Sequence, residues 1–186
     1  MMNVNFENFP VLDSKNIIYR RVVASDWPQL QILRGNVDTM KYIPRPLCET
    51  ESDCLLLISK FDLGIDSNIG VNWGMISKES NLLIGLISFH IIYQQHFRSE
   101  IGYMILPEYR GKGLVSEGIK TLLNYGFKVL KLNSVEAQID PANTASEKVL
   151  LHNNFVKEAH FFENEFYDGK FLDKAVFSIL ARNFII

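Results

Sequence analysis

The chain is poor in the residues that mark specialised architectures. It holds two cysteines, Cys48 and Cys54, too few to frame a disulfide scaffold and without the second pair that would make a zinc site. Both are expected to be reduced thiols. His90, His96, His152 and His160 fall at no metal-ligand spacing, so no metal is expected. Charge of one sign is also lacking: 19 Lys and Arg stand against 21 Asp and Glu, a net charge of −2 that leaves no electrostatic footprint for nucleic acid. This balance is compatible with an amine-bearing substrate but does not demand one. No apolar run approaches the length that spans a bilayer, and the segment Met1 to Asn8 has neither the basic nor the apolar region of a signal peptide. A cytoplasmic protein with no membrane or nucleic-acid partner is expected. There is no repeat, low-complexity tract or linker, and 186 residues suffice for one domain, residues 1–186, with a substantial core.

What is present is a phosphate-binding pattern. The run from Glu100 to Glu117 reads as an apolar stretch ending at Pro107, then a turn holding Arg110, Gly111, Lys112 and Gly113, then a helical pattern from Leu114. Glycines let the backbone approach an anion, and the free N–H groups and dipole of a helix N-terminus favour negative charge. Three loops compete. A P-loop requires Ser or Thr after its lysine, where this chain has Gly113. A dinucleotide fingerprint requires a third glycine, where Ser116 stands, although Glu136 lies about where a ribose-binding acid would. The acetyl-CoA loop, Q/R-x-x-G-x-G/A, fits Arg110 to Val115 except for Val115 itself. A purely structural glycine turn is the fourth reading.

The rest of the chain supplies the framework. Ile17 to Val23 reads as a first strand, and Ser25-Asp26 as a cap for a helix running to about Arg34. A helical turn over Asp38 to Ile43 and a helix from Thr50 follow, with a polar loop from Gly64 to Gly70. Val71 to Ser77 and Leu82 to Ile92 form a hairpin, and Phe97 to Leu106 is the next strand. From Leu114 to Leu130, Val115, Ile119, Leu122, Leu123, Phe127 and Leu130 recur at helical spacing. Ser134 to Ile139 is a strand, a short helix ends near Asn153, and Phe155 to Phe166 pairs with Phe171 to Ala181 around Asp168-Gly169. The Leu114 helix connects strands that can be parallel neighbours; the remainder is antiparallel. The class is α+β with a mixed sheet, which weakens the dinucleotide reading.

From Ile84 to Leu180 the order of elements resembles the GNAT N-acetyltransferases, in particular their RimJ/RimL-like branch. The matching segments are Glu100-Ile-Gly-Tyr103, Pro107 to Gly113, Ser116-Glu117, Asn143-Thr-Ala-Ser146 and Asn154-Phe155. The resemblance implies a GNAT-like, mostly antiparallel sheet flanked by helices, with one parallel pair around an acetyl-CoA site. It implies that Met104 and Ile105 offer backbone groups to the pantetheine arm. The pyrophosphate would sit on N–H groups from Arg110, Gly111, Lys112, Gly113, Leu114 and Val115, with Asn143 alongside.

The same resemblance implies the chemistry. Many members use a tyrosine as acid at the position of Leu150, so that role is absent here. In the RimL-like pattern a serine at Ser146 takes a similar part and a glutamate at Glu165 serves as base, with Glu100 the competing base. Against these roles, Thr144 to Glu147 is a capping box, so Asn143 and Ser146 can act as helix caps, and Glu165 can be a solvated charge. The implied reaction is acetyl transfer from acetyl-CoA to a primary amine, a protein N-terminus such as that of a ribosomal protein, by a monomer or homodimer. A small-molecule amine is the alternative acceptor. A non-catalytic acyl-CoA-binding module and a nucleotide-dependent oxidoreductase are the rival classes.

Overall fold

In the computed structural model, which describes residues 4–184, apolar alternation builds an eight-stranded sheet. Its strands are β1 (Leu12–Asp13), β2 (Ile17–Arg20), β3 (Val71–Ser77), β4 (Leu83–Tyr93), β5 (Arg98–Ile105), β6 (Ser134–Ile139), β7 (Val156–Tyr167) and β8 (Lys170–Leu180). They lie side by side in the order β1-β2-β3-β4-β5-β6-β8-β7. Every neighbouring pair is antiparallel except β5 with β6. The helices are α1 (Trp27–Arg34), α2 (Val37–Met40), α3 (Glu51–Asp66), α4 (Leu114–Lys128) and α5 (Thr144–His152). The expected mixed sheet with one parallel pair is the observed one.

Because side chains alternate across a strand, the sheet feeds two cores. Ile87 and Phe89 of β4 and Ile101 and Ile105 of β5 pack with Ile119, Leu122, Leu123 and Phe127 of α4. Leu86 and Met104 face the other way, onto Leu30 and Leu33 of α1 and Cys54 and Ile58 of α3. Each of these large side chains is buried, a contribution of roughly 2 kcal/mol apiece. The approach of α4 to β4 is close enough that a Cβ on Gly126 would lie 2.9 Å from the Phe89 ring.

Two local expectations are corrected. Asp26 does not cap α1 with its side chain; its oxygens take Arg20 Nη1 and Nη2 at 2.7 and 2.8 Å, tying the end of β2 to the helix entrance. The cap of α5 is Asn143, whose side chain accepts from the Ser146 N–H at 3.1 Å, rather than a box from Thr144 to Glu147. Elsewhere the Thr50–Asp53 capping box starts α3 as the sequence implies.

The entrance of α4 is fastened by Glu117. Its carboxylate accepts from Ser14 Oγ at 2.6 Å and from the backbone and side-chain nitrogens of Asn16, both at 2.7 Å. Burial works to raise its pKa, but these hydrogen bonds outweigh burial and hold it below the usual carboxylate range. A depressed carboxyl contributes stability that is present above the unfolded value of about 4.3 and lost as pH falls through the lower folded value. Glu117→Ala is therefore expected to cost about 2 kcal/mol at neutral pH. Urea unfolding should show wild type and variant converging in acid. A gap of equal size at roughly pH 7 and pH 3 would contradict the ionic anchor.

Candidate active site

The site begins where β5 and β6 part. Their parallel ladder pairs Arg98 with Ser134, Ser99 with Val135 and Glu100 with Glu136, and goes no further among the described residues. Beyond that point β5 keeps its partner β4 through Ile105, and β6 keeps β8 through Ile139. The edge of β5 from Ile101 onward thus faces an open gap, a row of backbone donors and acceptors with no strand beside it.

A cavity of about 380 Å³ fills this gap. Met104 and Ile105 line one side, Asn143, Ser146 and Val149 of the α5 region the other, and Arg110, Gly111, Gly113, Leu114 and Val115 close the end. The loop is shaped for close approach. Gly111 and Gly113 adopt φ of +73° and +76°, and a Cβ on either would meet nothing within 4 Å. Gly113 is the N-cap of α4 and supplies no side chain to its first turn, so the helix N-terminus has no capping side chain of its own. Arg110 and Lys112 are exposed at the mouth, with the Lys112 ammonium 5.1 Å from the centre of the Tyr109 ring. This combination of an unpaired strand edge, two open glycines and an uncapped helix suits an extended ligand ending in phosphates.

Ser146 is buried and turned into the cavity wall, where its Oγ lies 2.6 Å from the Tyr103 hydroxyl. Burial pushes the Tyr103 phenol up to about 12, against a smaller opposing effect of the Ser146 hydrogen bond. The sequence reading missed Tyr103, although it stands in the quoted Glu100 to Tyr103 segment. The available signal was its parity: it shares the face of Ile101 and Ile105, toward α5. Leu150, fully buried, fills the core instead of the site.

A second cavity of about 460 Å³ adjoins the first and shares Tyr42 and Ile43 with it. It lies between the loop after α2 and the β7–β8 hairpin. Glu165 lines it, both oxygens engaged: Oε1 accepts from Arg45 at 2.9 Å and Oε2 is 3.0 Å from Lys174 Nζ. Burial acts to raise its pKa, but Arg45 and Lys174 prevail and hold the carboxyl below the usual range. The strand is not continuous as expected here. Phe161 pairs with Lys174 and Glu165 with Leu172, so residues 162–164 bulge out, fixed by the Glu163 N–H donating to Asp173 at 2.9 Å.

Behind the second cavity, Gln138 links two further carboxylates. Its amide nitrogen is 3.2 Å from Glu100 Oε2 and 3.4 Å from Glu136 Oε1. Glu100 is buried at the last rung before the strands part, with His90 Nε2 at 3.3 Å from its other oxygen. His90 is the extra residue of a bulge: Phe89 pairs with Ile101 and Ile91 with Glu100. The structure thus brings Arg110, Gly111, Gly113, Leu114, Val115, Met104, Ile105, Asn143 and Ser146 around one cavity, leaves Lys112 outside its lining and sets Glu165 in the neighbouring one. Among the described residues there is no cluster of metal-ligating side chains, and no helix is long and apolar enough to cross a membrane.

Comparison with known proteins agrees with this geometry. Residues 16–156 match the model of an acetyltransferase (GNAT) domain. The N-acetyltransferase YoaA of Bacillus subtilis is 31% identical over 172 residues, covering 92% of this chain and 97% of its own. Spermidine N(1)-acetyltransferase of Vibrio cholerae is 29% identical over 103 residues, 55% of this chain and 60% of its own. The crystal structure of a GNAT-family acetyltransferase from Bacillus anthracis shares 28% identity and a TM-score of 0.83 over 93% of this chain and 99% of that one. RimL, a ribosomal-protein α-N-acetyltransferase solved with coenzyme A, shares the fold at a TM-score of 0.83 and 17% identity, covering 92% of this chain and 98% of its own.

Proposed function

The chain belongs to the GNAT N-acetyltransferases, in their RimJ/RimL-like branch, as an acetyl-CoA-dependent enzyme acting on amines, and we propose that its acceptor is the α-amine of a protein N-terminus. One observation carries the reading: the two cavities are neighbours that share Tyr42 and Ile43, so a donor in one and an acceptor in the other lie side by side. An α-amine has an ordinary pKa near 8, so deprotonating it at neutral pH costs only about 1 kcal/mol. A lysine ε-amine costs several times more.

In this reading the β5 edge at Met104 and Ile105 pairs with the pantetheine amides, as an added strand would. The backbone from Arg110 to Val115 holds the pyrophosphate, helped by the Arg110 and Lys112 charges, with Asn143 beside it. The bound cosubstrate supplies the activated acetyl group; the chain supplies position and proton traffic. Tyr103, kept protonated by burial, donates to Ser146 Oγ. That leaves the serine proton free to point at the sulfur as negative charge develops there.

For the proton leaving the amine, we favour Glu100 over Glu165. Glu165 is committed to two cations and its depressed pKa makes it a poor proton acceptor. Glu100 is held by one histidine and one amide at the point where the gap opens.

Two outcomes are expected. Gly113→Val places a β-branched side chain at a φ of +76° and in the anion's path, and should weaken acetyl-CoA at least about tenfold. Calorimetry showing wild-type affinity in a folded variant would refute the loop assignment. Glu100→Gln should lower turnover by about 10²-fold with acetyl-CoA affinity retained, and partial rescue should follow as pH rises and more amine is neutral. Steady-state kinetics in which Glu165→Gln loses turnover and Glu100→Gln does not would return the base to Glu165.

A further inference from the structure

A base that takes a proton on every turnover must also lose it, and Glu100 has little water at hand: its side chain is 11% exposed. Its Oε2 is taken by the Gln138 amide at 3.2 Å, and Gln138 leans as well toward Glu136, which Arg98 pairs at 3.2 Å. Its Oε1 stands 3.3 Å from His90 Nε2, and the His90 side chain is 39% exposed. His90 therefore joins a buried carboxylate to solvent. Among the described residues Glu100 has no other cation, and His90 no other carboxylate, at ion-pair distance. The strands are shaped for this contact. His90 is the unpaired residue of the β4 bulge, between Phe89 opposite Ile101 and Ile91 opposite Glu100. Across from it Gly102 leaves the second ring nitrogen uncovered: a Cβ there would lie 3.4 Å from His90 Nδ1 and 3.3 Å from Ser88 Oγ.

We propose that His90 serves the reaction through Glu100, as a positioning residue that also carries to solvent the proton Glu100 takes from the acceptor amine. The inference rests on the reading of Glu100 as the base. One proton moves and nothing else changes. It leaves the acceptor nitrogen for a Glu100 oxygen, which becomes a neutral carboxyl. The carboxyl passes it to Nε2 of a His90 ring whose own proton is on Nδ1, and is a carboxylate again. The imidazolium so formed gives its Nδ1 proton to water on the side that Gly102 leaves open, and exchange with solvent restores the starting tautomer. Imidazole is the side chain that gains and loses a proton most readily near neutral pH, which suits it to this hand-over.

The test is steady-state kinetics on the full chain, following free thiol, with whichever of a short peptide bearing a free N-terminal amine and spermidine is turned over faster. His90→Gln keeps a polar side chain that cannot pick up a proton. It is expected to lower kcat about tenfold while leaving the acetyl-CoA KM unchanged. His90→Ala is expected to lose at least as much and to recover as free imidazole is added at constant pH, a gain that wild type does not show. A histidine that only holds the bulge in place is not replaced by imidazole in solution. Wild-type kcat in His90→Gln, or a defect in His90→Ala that imidazole leaves untouched, overturns the inference. Glu100→Gln separates its failure from that of the base. A crippled Glu100→Gln beside a normal His90→Gln keeps the base and removes only the relay; a normal Glu100→Gln removes both.

Discussion

The parting of β5 from β6 after Glu100 and Glu136 is the constraint on which the rest of this molecule depends. Inside a sheet every strand edge is normally paired, and an unpaired edge must be hydrogen-bonded by something else. Here the two strands are held apart by what lies between their far ends. Tyr103 leaves β5 to meet Ser146 on α5, and the first turn of α5 is closed by Asn143. The helix joining the two strands, α4, enters at the same end with Gly113 as its cap and Glu117 fastening it to the β1–β2 turn. One structural fault thus creates the slot, with the glycine loop at its end and the hydroxyl pair on its wall.

Two of the sheet's bulges place polar groups where a regular sheet would not. In β4 the extra residue is His90, set against Glu100 at the opening of the gap. In β7 residues 162–164 swing out, and Glu165 meets Arg45 across 120 residues of sequence. Bulges locally re-aim side chains at a cost in ladder hydrogen bonds, and both occur beside the proposed acceptor route. These irregularities set the neighbours of the two candidate bases: His90 beside Glu100, and Arg45 with Lys174 around Glu165.

Much of the fold could be read from local pattern. The α4 helix follows from its apolar spacing, the β7–β8 hairpin from Asp168-Gly169, and the loop from Arg110 to Gly113 from its glycines. These are features of a few adjacent residues. What escaped is long-range. The Glu165–Arg45 and Glu165–Lys174 pairs, the Tyr103–Ser146 contact and the His90–Glu100 contact each join elements that only the folded sheet brings together. The Asp26 cap failed for a local reason: its carboxylate is taken by Arg20, six residues away, and by the Val23 N–H. Residue identity pointed to the carboxylates, but only their neighbours distinguish one held by two cations from one at the mouth of the gap.

The central claim is that the unpaired edge of β5 receives the cosubstrate as a strand partner. Hydrogen exchange read amide by amide, with and without acetyl-CoA, tests it directly. The account expects new protection at those amides of Ile101 to Ile105 that point into the gap and at the first turn of α4, with little change at the amides of β5 that face β4 or at Arg98 to Glu100, which already have β6 beside them. Protection absent from the gap-facing amides of Ile101 to Ile105, or confined to the β7–β8 hairpin, would contradict it.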